Sequence, residues 1–447
     1  MMVNEAEQPI SVASVLKGSA TALAIKFGAS LLAFAMFALA SREMGPEVFG
    51  AFAIAFNALS FLAVIALCGQ ETLVVRSWGE YCGSNRHGLA RGVVTFAGFV
   101  IAGATLAMVI VVAIGWHALA PVPLPLLLAG LAFLFTYAVL MFTTQLTRVV
   151  GGVVVADGPG EVVWRAIVAV VLGASYLLNI GFTAVEFFFT AAAALAVSIL
   201  FQALLIVRLI PDAVWKIGSE RTIGAWLHRS FKMWLSTVLD NTGQYLEIVI
   251  VGAFLGPTAA GIYFVLMRIA NFFAMISAGI SKYATSQIGA LYYSNASTEL
   301  QMMLRSLALI ALAVVGGGVA AVVIAGKLLL LAFGPAYVDA YTLLIVLTFG
   351  AAILTLAGPA QHLLLLTGHE GAYPRVMAVA LLIRFLLIAI LGPQFGLVGA
   401  VIAWTLSVLF LAAALVVTCR RLLGLDPSLF SVLVGKRQQV SLKGGVL

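Results

Sequence analysis

The sequence predicts an all-α polytopic membrane protein of about twelve transmembrane helices, in two pseudo-symmetric six-helix lobes around a central cleft. Its composition, its apolar segments and an internal repeat lead to this prediction. Hydrophobic residues make up 63% of the 447 residues and charged residues only 9%, and the mean hydropathy is +1.15. Soluble globular proteins carry about 25% charged residues. The composition therefore excludes a soluble globular protein.

The apolar segments are long enough to cross a bilayer, which takes about 20 residues in a helix. Polar or Gly/Pro-containing links separate them, and twelve can be identified. We predict the spans near 14–41, 47–73, 90–115, 124–148, 161–179, 183–209, 228–254, 257–283, 302–325, 338–366, 374–391 and 396–419.

A Gly-Pro-x3-Gly turn follows the first helix of each half at a constant offset of 211 residues. Its two copies are Gly45, Pro46 and Gly50, and Gly256, Pro257 and Gly261. Each half contains six spans, so both halves have the same orientation in the membrane. This pattern indicates a parallel repeat about an axis normal to the membrane.

The repeat and the polar segments divide the chain into five parts. We predict a polar lead-in, a first lobe, an amphipathic basic linker on the cytoplasmic surface, a second lobe and a basic cytoplasmic tail. Their boundaries are 1–13, 14–210, 211–227, 228–425 and 426–447.

The formal net charge of +7 reflects membrane topology and gives no reason to expect nucleic-acid binding. Of the 24 Lys and Arg residues, nineteen lie in or next to the loops and tails of one side. Positive charge of this kind accumulates on the cytoplasmic side. We therefore expect an integral protein of the bacterial cytoplasmic (inner) membrane with both termini in the cytoplasm. The three cysteines have no metal-site spacing, so neither a disulfide framework nor a resident metal or cofactor is expected.

Charged and polar residues nevertheless lie deep inside the predicted spans. Asp240, Gln244 and Glu247 share one helix face at i, i+4 and i+7, and Arg268 shares a face with Asn271. A charge at mid-bilayer costs about 2.5–3.5 kcal/mol on insertion scales. These residues, together with two further cations, should line a wet cavity or form fixed buried ion pairs; the two cations are Lys26 and Arg384.

Three stretches resemble the polysaccharide flippases, the O-antigen and exopolysaccharide transporters of the multidrug/oligosaccharidyl-lipid/polysaccharide exporter superfamily. They are ALASREMGPEVFGAF, LEIVIVGAFLGPTAAGIYFVLMRIANFF and LLLLTGHEGAYPR. The resemblance implies a transporter, not an enzyme. It implies that an undecaprenyl-diphosphate-linked oligosaccharide is flipped from the cytoplasmic to the periplasmic leaflet by alternating access, for polysaccharide export.

The resemblance also implies roles for the polar residues. Cations at Lys26 and Arg268 would face the cleft, and an acid at Asp240 or Glu247 would serve ion coupling. Asn57 departs from the pattern, because a cation is expected on the second helix. We assign substrate binding to Lys26, Asn57, Arg268, Asn271 and Arg384, and coupling to H⁺ or Na⁺ to Asp240, Gln244 and Glu247. Glu71 and Lys282 occupy equivalent positions of the repeat near the predicted cytoplasmic end, so we assign them as a gate.

Two other functions remain open. A cation-coupled multidrug exporter shares the two-lobe fold, and a membrane polymerase or ligase of polysaccharide assembly would normally need larger extracytoplasmic loops than these. Under the flippase interpretation the partners are the lipid-linked oligosaccharide, membrane lipids and other polysaccharide-assembly proteins.

Overall fold

A computed structural model describes residues 12–119, 123–271, 297–357, 360–366, 371–424 and 428. All regular secondary structure within these ranges is helical. The α-helices are α1 Val12–Ala66, α2 Gln70–Gly83, α3 His87–Leu119, α4 Leu124–Gly151, α5 Val153–Asp157, α6 Trp164–Leu178, α7 Ala184–Leu209, α8 Asp212–Lys216, α9 Ile223–Asn241, α10 Glu247–Leu255, α11 257–271, α12 Ser297–Phe333, α13 Tyr341–Leu356, α14 Ala360–Leu366 and α15 Ala372–Leu423.

Two of these helices are long enough to cross a bilayer twice. The apolar part of α1 has 43 residues and α15 has 52, which corresponds to about 65 and 78 Å at 1.5 Å per residue. Both are broken where a glycine takes a positive φ, 75° at Gly45 and 60° at Gly396. Eight described helices are long and apolar enough to span a membrane. With the two long helices counted twice, and with α9–α10 and α11 added, the predicted twelve-helix fold is confirmed.

Two π-helical turns occur where the sequence predicts a regular α-helix or a loop. One, Thr242–Leu246, joins α9 to α10, and the other, Gly158–Val163, joins α5 to α6. The second turn corrects a predicted boundary. The sequence predicts a loop before a span that begins at 161, but the chain is already helical from Val153 onward. The wider π turn accommodates Pro159, which has no N–H to donate to a regular α-helical turn.

The two lobes meet backbone to backbone at the end of the bundle that carries the Gly-Pro turns, here called the Gly-Pro end. A Cβ atom on Gly50 would lie 1.9 Å from the Pro257 carbonyl oxygen, and one on Gly261 would lie 2.9 Å from the Gly50 Cα. Gly50 and Gly261 are equivalent in the repeat. Only glycine allows this approach, as at other small-residue contacts between membrane helices.

Polar contacts close the same end. The Ser41 hydroxyl donates to the Tyr337 hydroxyl at 2.7 Å, and the Arg42 guanidinium donates to two carbonyl oxygens at the end of α12 at 2.8 and 2.9 Å. Two neighbouring first-lobe residues therefore bind the segment at the end of α12 in the second lobe.

At the opposite end, here called the linker end, α9 packs along α2. The Trp226 indole donates to the Tyr81 hydroxyl at 2.9 Å, and Arg229 pairs with Glu80 at 2.9 Å. The Arg91 guanidinium holds the predicted linker by donating to the carbonyl oxygens of Trp215 and Ile217 at 2.6 and 2.8 Å.

Glu71, the first residue of the predicted gate pair, lies at this linker end. Glu71 is buried and accepts a hydrogen bond from the Thr237 hydroxyl of α9 at 3.3 Å. Lys282 lies outside the described residues. Their meeting therefore stays a prediction.

The glycine contact gives a prediction about the conformational equilibrium. Gly50→Ala should force α1 and α11 apart and favour conformations open at the Gly-Pro end, because the added methyl cannot share space with the Pro257 carbonyl. A Ser41→Cys probe in a background without the natural cysteines should then react faster with a membrane-impermeant maleimide. Gly98→Ala is the control, because no atom lies within 4 Å of its added Cβ. Equal labelling rates in the two variants would contradict the closure.

Candidate functional site

Two cavities lie side by side within the transmembrane bundle, one bordered mainly by each lobe. The first-lobe cavity has a volume of 360 Å³ and the second-lobe cavity 490 Å³. Four residues line both cavities and define their junction: Ser30, Ala33, Gln244 and Arg268. The first half of α1, together with α11, therefore separates the two cavities.

The second-lobe cavity is lined mostly by aromatic and aliphatic side chains. Its aromatic residues come from α1, α11, α12 and α15, and they are Phe34, Phe37, Phe264, Phe333 and Trp404. Five predicted polar residues complete the wall besides those of the junction: Asn57, Asp240, Glu247, Asn271 and Arg384. Such a surface can hold an apolar group of a ligand.

The first-lobe cavity is cationic. Four cations line it, and they are Lys26, Arg148, Arg165 and Arg268. Among the described residues, Glu161 is the carboxylate on its wall. The Tyr137 and Tyr245 hydroxyls of the two lobes lie 3.2 Å apart beside it. The excess of positive charge and the hydroxyl groups suit an anionic group of a ligand.

Most of these cations are held by carboxylates of the same lobe. Lys26 bonds to Glu161 and lies 3.5 Å from Asp157. Arg148 pairs with Asp157 at 2.5 Å, and Arg165 pairs with Glu161 at 3.3 Å. Asp157 is 1% exposed, so it needs both partners to offset the loss of hydration.

In the second lobe, Arg384 and Glu247 form a buried ion pair at 3.0 Å, with side chains 7% and 1% exposed. The Tyr263 hydroxyl also donates to Glu247, and Arg384 Nε donates to the Ser407 hydroxyl at 2.8 Å. This pair has the geometry of the fixed-ion-pair alternative stated from the sequence.

Arg268 differs from the other cations. Its guanidinium lies over the rings of Phe37 and Phe264, 5.0 and 4.8 Å from their centroids. No carboxylate of the described residues lies within ion-pair distance of it. Cation–π contacts place the group without neutralising it. Arg268 therefore lies at the junction of the two cavities and is uncompensated among the described residues.

All eight residues predicted for substrate binding and coupling line one or both cavities. Asn57 is 1% exposed and donates its amide to Ala53 of its own helix at 2.7 Å. Asp240 accepts a hydrogen bond from the Tyr373 hydroxyl at 3.2 Å. Gln244, inside the π turn, lines both cavities, so that turn keeps the predicted acidic face directed inward.

Sequence reasoning missed four ionic residues of the first lobe: Arg148, Asp157, Glu161 and Arg165. It assigned the two arginines to the cytoplasmic positive charge, because the segment between predicted spans looked like a loop. The available signal was the spacing of Asp157 and Glu161 at i, i+4 within an apolar stretch flanked by both arginines. In the described ranges no group of three or more His, Cys, Asp or Glu residues could hold a metal ion.

Comparisons with known proteins define the fold. No family model and no curated protein matches the chain. An inward-facing structure of a multidrug resistance MATE family transporter of the MOP superfamily is 15% identical, with a TM-score of 0.73 over 90% of this chain and 97% of that one. An outward-facing structure of the same description is 14% identical, with a TM-score of 0.66 over 91% and 94%.

A third structure is of a MOP superfamily transporter from Pyrococcus furiosus. It is described as having a binding pocket of reverse polarity that suggests a different function. It is 16% identical to this chain, with a TM-score of 0.66 over 91% of this chain and 94% of that one. The chain thus has the fold of MATE transporters of the MOP superfamily, over nearly the full length of these structures.

The buried pair in the second lobe gives a stability prediction. Arg384→Met should lower the free energy of unfolding by about 3–5 kcal/mol, because it leaves the Glu247 carboxylate buried without its cation. The double variant Glu247→Gln, Arg384→Met should recover part of this loss. Melting temperatures of purified protein in detergent measure both effects.

Lys216→Met is the matched control for this experiment. It breaks an exposed ion pair to Asp212 whose side chains are 76% and 84% exposed, so its melting temperature should equal that of the unmodified protein. If Arg384→Met melts no lower than this control, the pair does not stabilise the second lobe.

Proposed function

We propose that this protein is an alternating-access membrane exporter whose substrate is a drug-sized amphiphilic anion. One observation carries the proposal: the uncompensated Arg268 guanidinium lies where a cationic cavity meets an aromatic, apolar one. The anionic head binds at Arg268 and in the first-lobe cavity, and the apolar part binds in the second-lobe cavity.

The sizes of the cavities support a substrate of this size. Ligand sites for drug-sized molecules occupy about 300–1,000 Å³, and the two cavities have 360 and 490 Å³. Arg268 offers forked donors that match phosphate, sulfonate or carboxylate oxygens. Guanidinium–oxyanion hydrogen bonds gain strength where water is scarce.

Of the expectations stated from the sequence, the comparisons favour the multidrug exporter over the polysaccharide flippase. Structures of multidrug resistance MATE transporters share the fold. The positive first-lobe cavity favours anions over the cations that an anionic pocket would select. The reversed pocket polarity described for the transporter from Pyrococcus furiosus supports the idea that pocket charge differs within this fold.

A lipid-diphosphate-linked oligosaccharide is the second candidate substrate. It is also an anionic amphiphile, and both cations that the resemblance assigns to its diphosphate, Lys26 and Arg268, line the first-lobe cavity. The sugars would need more room than the present 360 Å³, so this candidate requires a wider opening between the lobes. Export into the periplasm across the inner membrane, with cytoplasmic termini, belongs to both candidates.

Coupling to H⁺ or Na⁺ remains part of the proposal, with Asp240 as the acid. Glu247 is held by Arg384, whereas Asp240 lines the second-lobe cavity with Tyr373 as its described partner. Asp240→Asn should abolish the acceleration of export by an imposed gradient of the coupling ion. Wild-type export that is indifferent to both proton and sodium gradients would contradict coupling at this residue.

The central test uses proteoliposomes and two dansyl-labelled alkyl probes that differ only in the head group, phosphate or trimethylammonium. Wild-type protein should bind and export the phosphate probe in preference to the trimethylammonium probe. Arg268→Ala should weaken phosphate binding about 10- to 100-fold, the effect of losing a charge-assisted hydrogen bond, and Arg268→Lys should retain part of it. Arg208→Ala is the control, because Arg208 is exposed and lines neither cavity.

Preference for the ammonium probe, or equal phosphate binding by Arg268→Ala and wild type, would contradict the proposal. To distinguish the second candidate, the same variants are tested for flipping of a lipid-diphosphate-linked oligosaccharide. Flipping by wild type without export of the alkyl phosphate would favour that candidate instead.

A further inference from the structure

Glu161 occupies an unusual place for a carboxylate in a cavity proposed to bind anions. Lys26 donates to Glu161 Oε1, and Arg165 donates to Oε2 at 3.3 Å and to the Glu161 carbonyl oxygen at 2.6 Å. One carboxylate thus holds two of the four cations that line the first-lobe cavity. The π turn Gly158–Val163 carries it, and such turns are frequent at functional sites.

Glu161 differs from the neighbouring Asp157 in its access to the cavity. The Asp157 side chain is 1% exposed and does not line the cavity, whereas the Glu161 side chain is 27% exposed and forms part of its wall. Lys26 and Arg165 are also accessible, with side chains 38% and 20% exposed. A ligand in the cavity can therefore reach both cations of Glu161 while Asp157 keeps its ion pair with Arg148.

A carboxylate and the anionic head of a substrate need the same donors. Ammonium and guanidinium groups bind carboxylate and phosphate oxygens in the same geometry. In the empty protein, cations without a counter-charge inside the membrane are costly. A tethered carboxylate offsets this cost, and its tether gives it a high effective concentration against any incoming anion.

We propose that Glu161 is an internal counter-anion, which neutralises Lys26 and Arg165 when the cavity is empty and is displaced by the anionic head of the substrate. The inference rests on the proposed function, since it concerns the same cavity. Competition from Glu161 weakens binding and speeds release. An exporter needs such release, because a substrate held by all four cations would leave slowly.

The test measures binding of the dansyl alkyl phosphate to full-length protein in nanodiscs. Glu161→Gln removes the competing charge but keeps the size of the side chain, so it should tighten binding about tenfold, the effect of one charge-assisted hydrogen bond. It should also slow dissociation and lower both KM and kcat of export. The affinity for the uncharged alcohol analogue should not change. If Glu161 had a purely structural role, its replacement would change the affinity for both ligands alike.

Two further variants complete the experiment. Glu47→Gln removes an exposed carboxylate that lines neither cavity and should bind like wild type. Glu161→Asp keeps the charge on a side chain too short to reach both cations, so its affinity should lie between those of wild type and Glu161→Gln. It carries the test if Glu161→Gln does not fold.

The outcomes separate the two claims. If Arg268→Ala loses phosphate binding but neither Glu161 variant binds more tightly than wild type, the counter-anion is disproved and the proposed function stands. If Arg268→Ala binds phosphate normally, the proposed function itself fails.

Discussion

Compensation of charge inside a low-dielectric membrane governs the arrangement of this protein. Asp157 and Glu161 of the first lobe each lie within reach of two cations, and the second lobe buries Glu247 against Arg384. These pairs allow ionic side chains at a depth where a single charge costs several kcal/mol. Arg268 differs, because it has no carboxylate partner among the described residues. The rings of Phe37 and Phe264 hold its guanidinium in place. We propose that the anionic head of the substrate acts as its counter-ion.

The repeat explains where the lobes can touch and where they cannot. Gly50 and Gly261 meet backbone to backbone at the Gly-Pro end, and neither residue lines either of the two cavities. The two halves have diverged around this shared frame. Arg268 in the second half corresponds to Asn57 in the first, so one of two equivalent positions carries the charge. Arg268 adds its charge to the first-lobe cavity, which Lys26, Arg148 and Arg165 also line.

Much of the fold and part of the site could be predicted from the sequence. Apolar length fixes the spans, and the Gly-Pro-x3-Gly repeat fixes the two lobes, because both signals are local. Charge deep in a span also identified Arg268, Asp240 and Arg384. Pairing was not predictable, since Lys26 meets Glu161 across 135 residues, and a Gly-Pro-Gly segment that forms a π turn resembles a loop in the sequence. The first-lobe ionic network was therefore missed.

The structure of a complex tests the central claim most directly. The ligand is an alkyl phosphate with a bromine atom at the end of its chain, so that head and tail can be located separately. The account predicts phosphate oxygens within hydrogen-bond distance of the Arg268 guanidinium and bromine in the second-lobe cavity, among Phe34, Phe264 and Phe333. A phosphate bound away from Arg268, or bromine in the first-lobe cavity, would contradict it.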